Sequence, residues 1–206
     1  NEEISPTEPP EKFPDRILRS QVNQFDVLPE TSFLDLIKHD GQDIVKMLAI
    51  GQKLLIFKHD DLFIVDCSGE FEYLDSVQKG HGIINATSIC ELPLGIYWIN
   101  PNEMYFYDGN NPPVNVSLLK ISDSEWKKIW NVYSHIAFNP EDQTILMFTR
   151  YKDNPDNTSD AKRLLIYDIE QKSFYYKSIP STLPYGRCSG TALVNNKLFI
   201  STANTA

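Results

Sequence analysis

Cysteine is scarce in this chain of 206 residues, which has three cysteines, Cys67, Cys90 and Cys188. An odd number of cysteines without a C-x-x-C pair suits neither a disulfide framework nor a zinc site. We therefore predict reduced, partly buried thiols. Cys90 lies in the stretch ATSICEL, and this position predicts that its side chain belongs to the core of a strand.

Long hydrophobic runs are also missing. No stretch approaches the about 18 consecutive apolar residues of a transmembrane helix, so we predict no membrane span. The opening residues, NEEISPTEPPEKFPD, lack the basic and apolar regions of a signal peptide. Without such a signal, the sequons at Asn85, Asn115 and Asn157 carry little weight as glycosylation sites. The chain begins at Asn1 rather than at a methionine, which is typical of a fragment or a processed product.

Positive charge is in short supply, with 19 Lys and Arg against 28 Asp and Glu and a formal net charge of −9. A nucleic-acid-binding surface needs clustered Lys and Arg that neutralise phosphates. The densest basic groups are the pairs Lys127-Lys128 and Lys162-Arg163, and each is short enough to be an ordinary solvated position. We therefore predict no nucleic-acid partner.

Familiar catalytic motifs are absent as well. The sequence contains no G-x-S-x-G, H-E-x-x-H, P-loop, G-x-G-x-x-G or sialidase-type Asp-box. Ser124 and Lys127 satisfy S-x-x-K, but the companion motifs of acyl-transfer enzymes are missing. We predict a protein that is not an enzyme, with no catalytic residue, no cofactor and no metal site.

What the chain does contain is a repeated hairpin. Residues 54–66 read LLIFKHDDLFIVD and residues 96–108 read IYWINPNEMYFYD, with an offset of 42 residues. Looser copies follow at 145–168 and from residue 197 onward. A period near 40 residues that is built from short strands is typical of a β-propeller blade. We therefore predict an all-β protein with the fold of a β-propeller.

The repeat divides the chain into two predicted regions. Residues 1–14 hold four prolines and four acidic residues, and we expect an extended or disordered lead-in. Residues 15–206 form a partial propeller of about three blades plus the start of a fourth. Cutting a blade after two strands leaves an unpaired edge, which native proteins avoid. We therefore expect partners from another segment of the same precursor or from another chain.

Most elements of the propeller region follow from apolar runs and turn signals. We predict strands at 16–20, 43–50, 53–58, 62–66, 84–92, 96–100, 104–108, 134–139, 144–151, 163–169, 174–179, 190–194 and 197–202. Residues 21–40 are predicted to be a loop with short irregular pieces. Ser122 and Glu125 fit a capping box, and Trp126, Ile129 and Trp130 fit one helical face, so we predict a short helix over 122–131.

Two polar segments that contain histidine are candidate sites. His59, Asp60 and Asp61 lie at a predicted hairpin tip, where a catalytic role needs a nucleophile or a metal nearby; a polar turn is the favoured interpretation. His81 lies between two glycines in a predicted flexible connector into the second blade. A metal-binding role for His81 would need at least two further ligands, so we favour the connector.

Two acidic segments are candidate sites as well. Asp153, Asp156 and Asp160 fall within one long polar loop at 152–162, and calcium binds such oxygen clusters. The order of an EF-hand loop is absent, so a solvated acidic loop is favoured. Asp108 opens the segment Asp-Gly-Asn-Asn, which is typical turn chemistry.

Four aromatic residues crowd one predicted hairpin. They are Tyr97, Trp98, Tyr105 and Tyr107. An aromatic platform that binds sugar is one interpretation. Packing between neighbouring blades is the favoured one, because blade faces must bury bulky side chains against each other.

The order of these pieces resembles a known family. The segments RILRS (16–20), GIYWINPNEMYFYDG (95–109) and ISDSEWKKIW (121–130) are similar to the propeller region of virion tail proteins in short-tailed phages. The resemblance is to the tail-end, or muzzle, type of the crAss-like phages in particular. It covers roughly residues 12–200 and consists of propeller phrases rather than catalytic residues.

The resemblance implies a structural component of the distal phage tail. It implies a homo-oligomeric ring, with other virion tail proteins and other segments of the same precursor as partners. It also implies assembly in the bacterial cytoplasm and a final location in the virion. The family proteins are long, so a short chain without a starting methionine suggests a cleaved virion polypeptide whose pieces stay together.

Two alternatives stay open at this point. The first is a propeller that binds or cleaves carbohydrate at the host surface, which would need an exposed acidic pair beside aromatic residues. The second is a protein-interaction propeller of the Kelch or WD type. The Gly-Gly doublet of Kelch repeats and the Trp-Asp dipeptide of WD repeats are absent, so this alternative ranks last.

Overall fold

The protein is mostly β-strand. A computed structural model describes residues 13–21, 23–36, 42–69, 71–148, 163–178, 186–194 and 197–204. Within those residues, antiparallel strands account for nearly all regular structure, together with one α-helix and one 3-10 turn. The prediction of an all-β protein is therefore confirmed. The chain divides into two compact units, residues 1–44 and residues 45–206.

The first unit contains a small two-stranded sheet. Strand β1 (Arg16–Leu18) pairs antiparallel with β2 (Phe33–Asp35). The strand predicted at 16–20 is confirmed in part. The prediction that 21–40 is loop is wrong at β2, a strand of three residues that is too short to produce a period-two pattern.

Arg16 holds this small sheet together. Its guanidinium donates to both carboxylate oxygens of Asp35, at 2.8 and 3.1 Å. The same group lies over the rings of Phe13 and Phe33, 4.0 and 3.8 Å from their centroids. A bidentate ion pair combined with cation–π contacts compensates for the small number of backbone bonds that three-residue strands can form.

The second unit begins with a four-stranded meander, here called the first sheet. Its strands are β3 (Lys46–Ile50), β4 (Lys53–Phe57), β5 (Asp61–Asp66) and β6 (Tyr73–Lys79), in that spatial order. The first three strands were predicted, as was the two-residue turn at Gly51, whose φ of 58° suits glycine. Strand β6 was missed because its side chains are largely exposed and include few apolar residues.

The second sheet repeats this meander. Its strands are β7 (Ile89–Leu92), β8 (Gly95–Ile99), β9 (Met104–Tyr107) and β10 (Val114–Asn115). The strand predicted over 84–92 is wrong at its start, because Ala86–Ser88 forms a 3-10 turn instead. The Asn85 side chain accepts a hydrogen bond from the Thr87 backbone N at 3.0 Å, and this local bond favours a turn over a strand.

Both sheets use the same strand register. In the first sheet Leu54 lies opposite Val65, and in the second sheet Ile96 lies opposite Tyr107. The preceding pair of strands matches too, since Met47 opposite Ile56 corresponds to Ile89 opposite Trp98. The offset of 42 residues found in the sequence is thus an offset between equivalent positions in two sheets.

The remaining strands form a third and a fourth sheet. The third sheet orders β11 (His135–Asn139), β12 (Thr144–Phe148), β13 (Arg163–Asp168) and β14 (Ser173–Ser178) as a meander. The fourth sheet pairs β15 (Gly186–Val194) with β16 (Lys197–Asn204). All six strands overlap predicted ones. The acidic loop with Asp153, Asp156 and Asp160 lies outside the described residues.

The sheets of the second unit share their cores. The first core cluster joins the first two sheets and comprises Leu48, Leu55, Phe57, Leu62, Ile64, Ile83, Ile89, Ile96, Trp98, Tyr105 and Tyr107. The second core cluster joins the second and third sheets and comprises Cys90, Tyr97, Ile99, Met104, Trp126, Ile129, Ile136, Ile145, Met147, Leu165 and Tyr167. Successive residues of β8 alternate between these clusters, because neighbouring side chains of a strand point to opposite faces. The second sheet therefore buries both faces.

A short helix completes the second core cluster. Helix α1 (Asp123–Ile129) lies within the predicted span, and Trp126 and Ile129 are buried as expected. The Ser122 hydroxyl accepts a hydrogen bond from the Glu125 backbone N at 3.3 Å, so the predicted cap is present. Asp123 and Glu125 in the first turn and Lys127 in the last turn complement the helix dipole.

We expect the substitution Ser122→Ala to lower the free energy of unfolding by about 1 kcal/mol, because it leaves the Glu125 N–H without its capping acceptor. Urea denaturation followed by circular dichroism measures this difference. Ser124→Ala is the matched control, since Ser124 lies inside the helix, where alanine is a better helix former. Equal losses in the two variants would contradict the assigned cap.

Candidate functional site

The two histidine-containing segments meet in space. The hairpin tip at 58–61 and the connector at 80–83 are joined by backbone hydrogen bonds, with the Gly82 N donating to Asp60 O and the Ile83 N donating to Lys58 O, both at 2.9 Å. The Asp61 carboxylate also accepts from the Gly80 N at 3.2 Å. These hydrogen bonds join segments that are distant in the sequence, and we take the arrangement as the candidate site.

The tip itself is a turn, as predicted. The Lys58 N donates to Asp61 O at 3.0 Å, which closes the turn, while His59 and Asp60 are exposed. Lys58 departs from the expected solvated turn because it is fully buried, with its ammonium 5.4 Å from the centroid of the Phe63 ring. An aromatic face stabilises a cation where water is excluded.

Asn100 joins the second sheet to the same connector. Its side-chain amide donates to Gly80 O at 2.8 Å and to Gly82 O at 3.2 Å, while its side-chain oxygen accepts from the backbone N of Asn102 and Glu103. Asn100 is buried, so these bonds satisfy an amide that would be costly to bury alone. We name residues 58–61, 80–83 and 100–103, together with Trp126, the junction.

Trp126 brings helix α1 into the junction. Its indole Nε1 donates to the backbone O of Asn100 at 3.0 Å in a buried position. Asn100 thus connects three elements: the connector through its amide, its own turn through its side-chain oxygen, and the helix through its carbonyl. Sequence analysis missed this residue. The available signal was its position 42 residues after Lys58, because both residues open the turn between the second and third strands of their sheets.

Gly82 is the most tightly enclosed part of the junction. A Cβ atom at this position would lie 2.5 Å from Lys58 O and from the carbonyl carbon of Asp60, and 2.6 Å from the Asp61 N. Those atoms are backbone and cannot rotate away. The connector therefore needs a glycine at position 82 for close approach of two chain segments.

Two titratable groups of the junction are His81 on the connector and Glu103 on the turn that Asn100 opens. The His81 ring lies 4.4 Å from the Tyr105 ring, and its Nδ1 is 2.9 Å from Lys79 O. Burial raises the pKa of Glu103, Asp123 raises it further, and His81 opposes the shift. Within the described residues no group of three or more His, Cys, Asp or Glu is arranged to hold a metal ion. In chemical terms the junction is a structural link between backbone segments.

The aromatic residues Tyr97, Trp98, Tyr105 and Tyr107 of the second sheet are all buried. Trp98 lies in the first core cluster, with Tyr105 stacked on it at 5.4 Å and Phe57 edge-on at 5.4 Å. Tyr97 lies in the second core cluster, 5.9 Å from Tyr167. Burial raises the pKa of Tyr105 to about 12. The prediction that these aromatics pack between sheets is confirmed, and they form no exposed platform for a sugar.

The Asp108 segment is the predicted turn. The Asp108 carboxylate accepts from the backbone N of Asn110 and Asn111, both at 2.8 Å, and from the Asn111 amide at 2.7 Å. Gly109 has a φ of 90°, where glycine is favoured. The Asn111 side chain, together with the backbone donors, lowers the pKa of Asp108. The carboxylate therefore serves as a cap for its own turn.

Two of the three sequon asparagines also have local structural roles. The Asn85 amide caps the 3-10 turn. The Asn115 side-chain oxygen accepts from the backbone N of Ser117 and Leu118, at 3.1 and 2.9 Å. Asn157 lies outside the described residues. The first two residues are therefore explained by hydrogen bonding within their own turns.

The described thiols occupy different environments. Cys90 is buried in the second core cluster, as predicted, and burial raises its pKa. Cys67 is exposed, and both are free cysteines. No side-chain environment is described for Cys188. In the described part of the chain, no helix is long and apolar enough to cross a membrane.

His135 is a buried titratable group on β11. It is 8% exposed, its ring lies 6.0 Å from the Phe148 ring on the opposite strand, and burial lowers its pKa. The unfolded chain binds a proton at its ordinary pKa, about 6.5, whereas the folded chain resists protonation. Stability from this residue is therefore complete above the unfolded pKa and is lost as pH falls toward the folded pKa.

We expect the free energy of unfolding to fall by about 1 kcal/mol between pH 7.5 and pH 5.5 because of His135. Urea denaturation at both pH values, on wild type and on His135→Phe, measures the contribution. The variant should show a smaller change, whereas His59→Phe, at the exposed hairpin tip, should retain the wild-type change. If His135→Phe lost as much stability between the two pH values as wild type does, His135 would not be the cause of the pH dependence.

Two comparisons with known proteins were negative. A scan against protein-family models and a search of curated proteins both return no match. The geometry itself consists of four-stranded antiparallel meanders, cores shared between successive sheets, and a junction that links the first two sheets through Asn100.

Proposed function

We propose that this chain is a structural, non-enzymatic module whose sheets are the blades of a β-propeller. The observation that carries the proposal is the second sheet, which buries one face against the first sheet and the other against the third. Successive blades of a propeller pack in this way around an axis. The repeated register supports the same reading, since each blade is one copy of a common unit.

We further propose that the module belongs to the tail of a phage virion. This step rests on the resemblance of 16–20, 95–109 and 121–130 to propeller regions of tail proteins of the muzzle type. The chain would contribute to the distal tail, assembled in the bacterial cytoplasm as a ring of copies with other tail proteins and other segments of its precursor. Its work there would be to bind neighbours, without a cofactor.

Purified virions from the host system that encodes the chain provide the test. Mass spectrometry of tail fractions should recover the chain together with other tail proteins, and cross-links should join it to a second copy. Electron cryomicroscopy of the tail end should resolve four-stranded blades around an axis. A chain that is absent from the particles and behaves as a stable lone monomer would overturn the tail assignment. Turnover of host capsule by the purified chain would overturn the non-enzymatic one.

A further inference from the structure

An aspartate stands at the end of the third strand in each of the first three sheets. These residues are Asp66, Asp108 and Asp168. Each carboxylate caps the turn that follows it. Asp66 accepts from the Ser68 N and Asp168 accepts from the Gln171 N, both at 2.8 Å, and Asp108 caps its turn as described above. The residue that comes next differs, because of these three aspartates only Asp108 is followed by glycine.

An aspartate that precedes glycine can react with its own backbone. The glycine amide nitrogen attacks the aspartate Cγ, a C–N bond forms, and the hydroxyl of the protonated carboxyl group leaves as water with the amide proton. Water then opens the cyclic succinimide. Opening at the main-chain carbonyl leaves the chain running through Cβ and Cγ, which is isoaspartate, with no net change in mass. Glycine favours the attack because no Cβ crowds its nitrogen.

The folded turn engages both carboxylate oxygens of Asp108. The Oδ1 atom accepts from the backbone N of Asn110 and Asn111, both at 2.8 Å, and the Oδ2 atom accepts from the Asn111 amide at 2.7 Å. Whichever oxygen is to leave as water, at least one of these bonds must break first. The same donors lower the pKa of Asp108, which favours the ionised carboxylate over the protonated form that reacts.

The glycine is held in place as well. The hydroxyl of Tyr107, a buried residue, donates to Gly109 O at 3.0 Å. A Cβ atom on Gly109 would lie 3.3 Å from two carbons of the Ile50 side chain, so a residue of the first sheet covers this glycine. Ring closure has to draw the Gly109 nitrogen toward the Asp108 Cγ. The contacts with Tyr107 and Ile50 oppose that movement.

We propose that Asp108 is a site of isoaspartate formation that the folded turn protects, and that the Asn111 amide supplies part of the protection. Unfolding removes the cap and exposes the Asp-Gly pair to cyclisation. Isoaspartate at position 108 adds a methylene group to the backbone of the turn, which displaces Gly109 from Ile50 and so disturbs a contact between the first two sheets. The site goes beyond the proposed function and does not depend on it.

The test compares the 206-residue chain incubated folded in buffer and unfolded in urea, both at neutral pH. Electron-transfer fragmentation of the tryptic peptide 80–120, in which Asp108 is the only aspartate, measures isoaspartate at that position. We expect isoaspartate to accumulate at 108 in urea, and much more slowly at 66 and 168. In the folded chain the rate at 108 should be at least about tenfold lower, because a hydrogen bond to a charged group must break first.

Two variants test the role of Asn111. Asn111→Ala removes the amide donor and should speed the folded reaction about three- to tenfold, the size of one exposed hydrogen bond to a charged group, with no change of rate in urea. Asn110→Ala is the matched control, since Asn110 binds the carboxylate through its backbone N, which alanine retains, and its rate should equal that of wild type.

Three results would overturn the proposal. Equal rates at 108 in the folded and unfolded wild-type chain would show that the turn gives no protection. Absence of isoaspartate at 108 in urea would show that the position is not a site. Equal rates in folded Asn111→Ala and wild type, or an increase that is matched by lower stability in urea unfolding, would remove the role of the Asn111 amide.

Discussion

Replacing Trp126 with alanine is expected to lower the free energy of unfolding by about 4 kcal/mol, the range measured for large aromatic residues in cores. Trp126 is 2% exposed and lies in the cluster that the second and third sheets share with helix α1. Its removal would leave a large cavity and would also free the Asn100 carbonyl, which accepts from its indole N–H. Urea denaturation followed by far-ultraviolet circular dichroism measures the loss.

Comparing Trp126 with Trp98 distinguishes the energy of the indole hydrogen bond from the energy of packing. Trp126→Phe keeps an aromatic ring but leaves the Asn100 carbonyl unpaired in a buried position, at a cost of about 1–3 kcal/mol. Trp98 is equally buried, yet in the described part of the chain its Nε1 has no hydrogen-bond partner. Trp98→Phe therefore removes an unsatisfied donor. We expect it to be the milder change, and the reverse order would contradict the role of Trp126.

Replacing Gly82 with alanine is expected to cost about 3 kcal/mol or to prevent folding. The added methyl group would overlap backbone atoms of residues 58, 60 and 61, and such overpacking is relieved only by moving the backbone. Movement would break the bonds of the Gly82 N and the Ile83 N to the hairpin tip. Thermal and urea unfolding measure the loss for a variant that folds.

Gly69→Ala is the matched control for this prediction. A Cβ atom on Gly69 would meet its nearest atom, Phe71 O, at 3.6 Å, which is ordinary van der Waals contact. We expect the stability of this variant to lie within about 0.5 kcal/mol of wild type, as for surface substitutions away from special features. If both variants lost the same stability, close approach at Gly82 would not be the cause.

The strands that could be read from sequence are those with contiguous apolar residues between turn signals. Strands β4, β5, β8 and β9 are of this kind, because they are mostly buried and each is bounded by turns that contain polar residues, Gly or Pro. Strands β6 and β10 could not be found in this way. They are held by pairing to the neighbouring strand, and their exposed side chains follow no hydrophobic period.

The junction, too, could be predicted from the sequence only in part. The tip at 58–61 and the connector at 80–82 were each interpreted correctly as polar chain segments. The two segments meet because β6 pairs antiparallel with β5 and so brings the connector back to the turn before β5. No local sequence pattern predicts this pairing. Asn100 was overlooked because an asparagine after a strand is ordinary turn chemistry; its wider role appears only when its amide meets the connector.

The shared cores have a consequence for folding during synthesis. Each sheet is a meander with local strand pairing, so its backbone contacts can form as soon as its own residues have emerged from the ribosome. The shared cores form later, because a face of the first sheet stays uncovered until the second sheet has been made, and a face of the second until the third has been made. Newly made chains would then expose Tyr97, Ile99 and Met104 to solvent for the time needed to synthesise β11 to β13. Translation speed across that stretch should therefore govern how much of the protein aggregates.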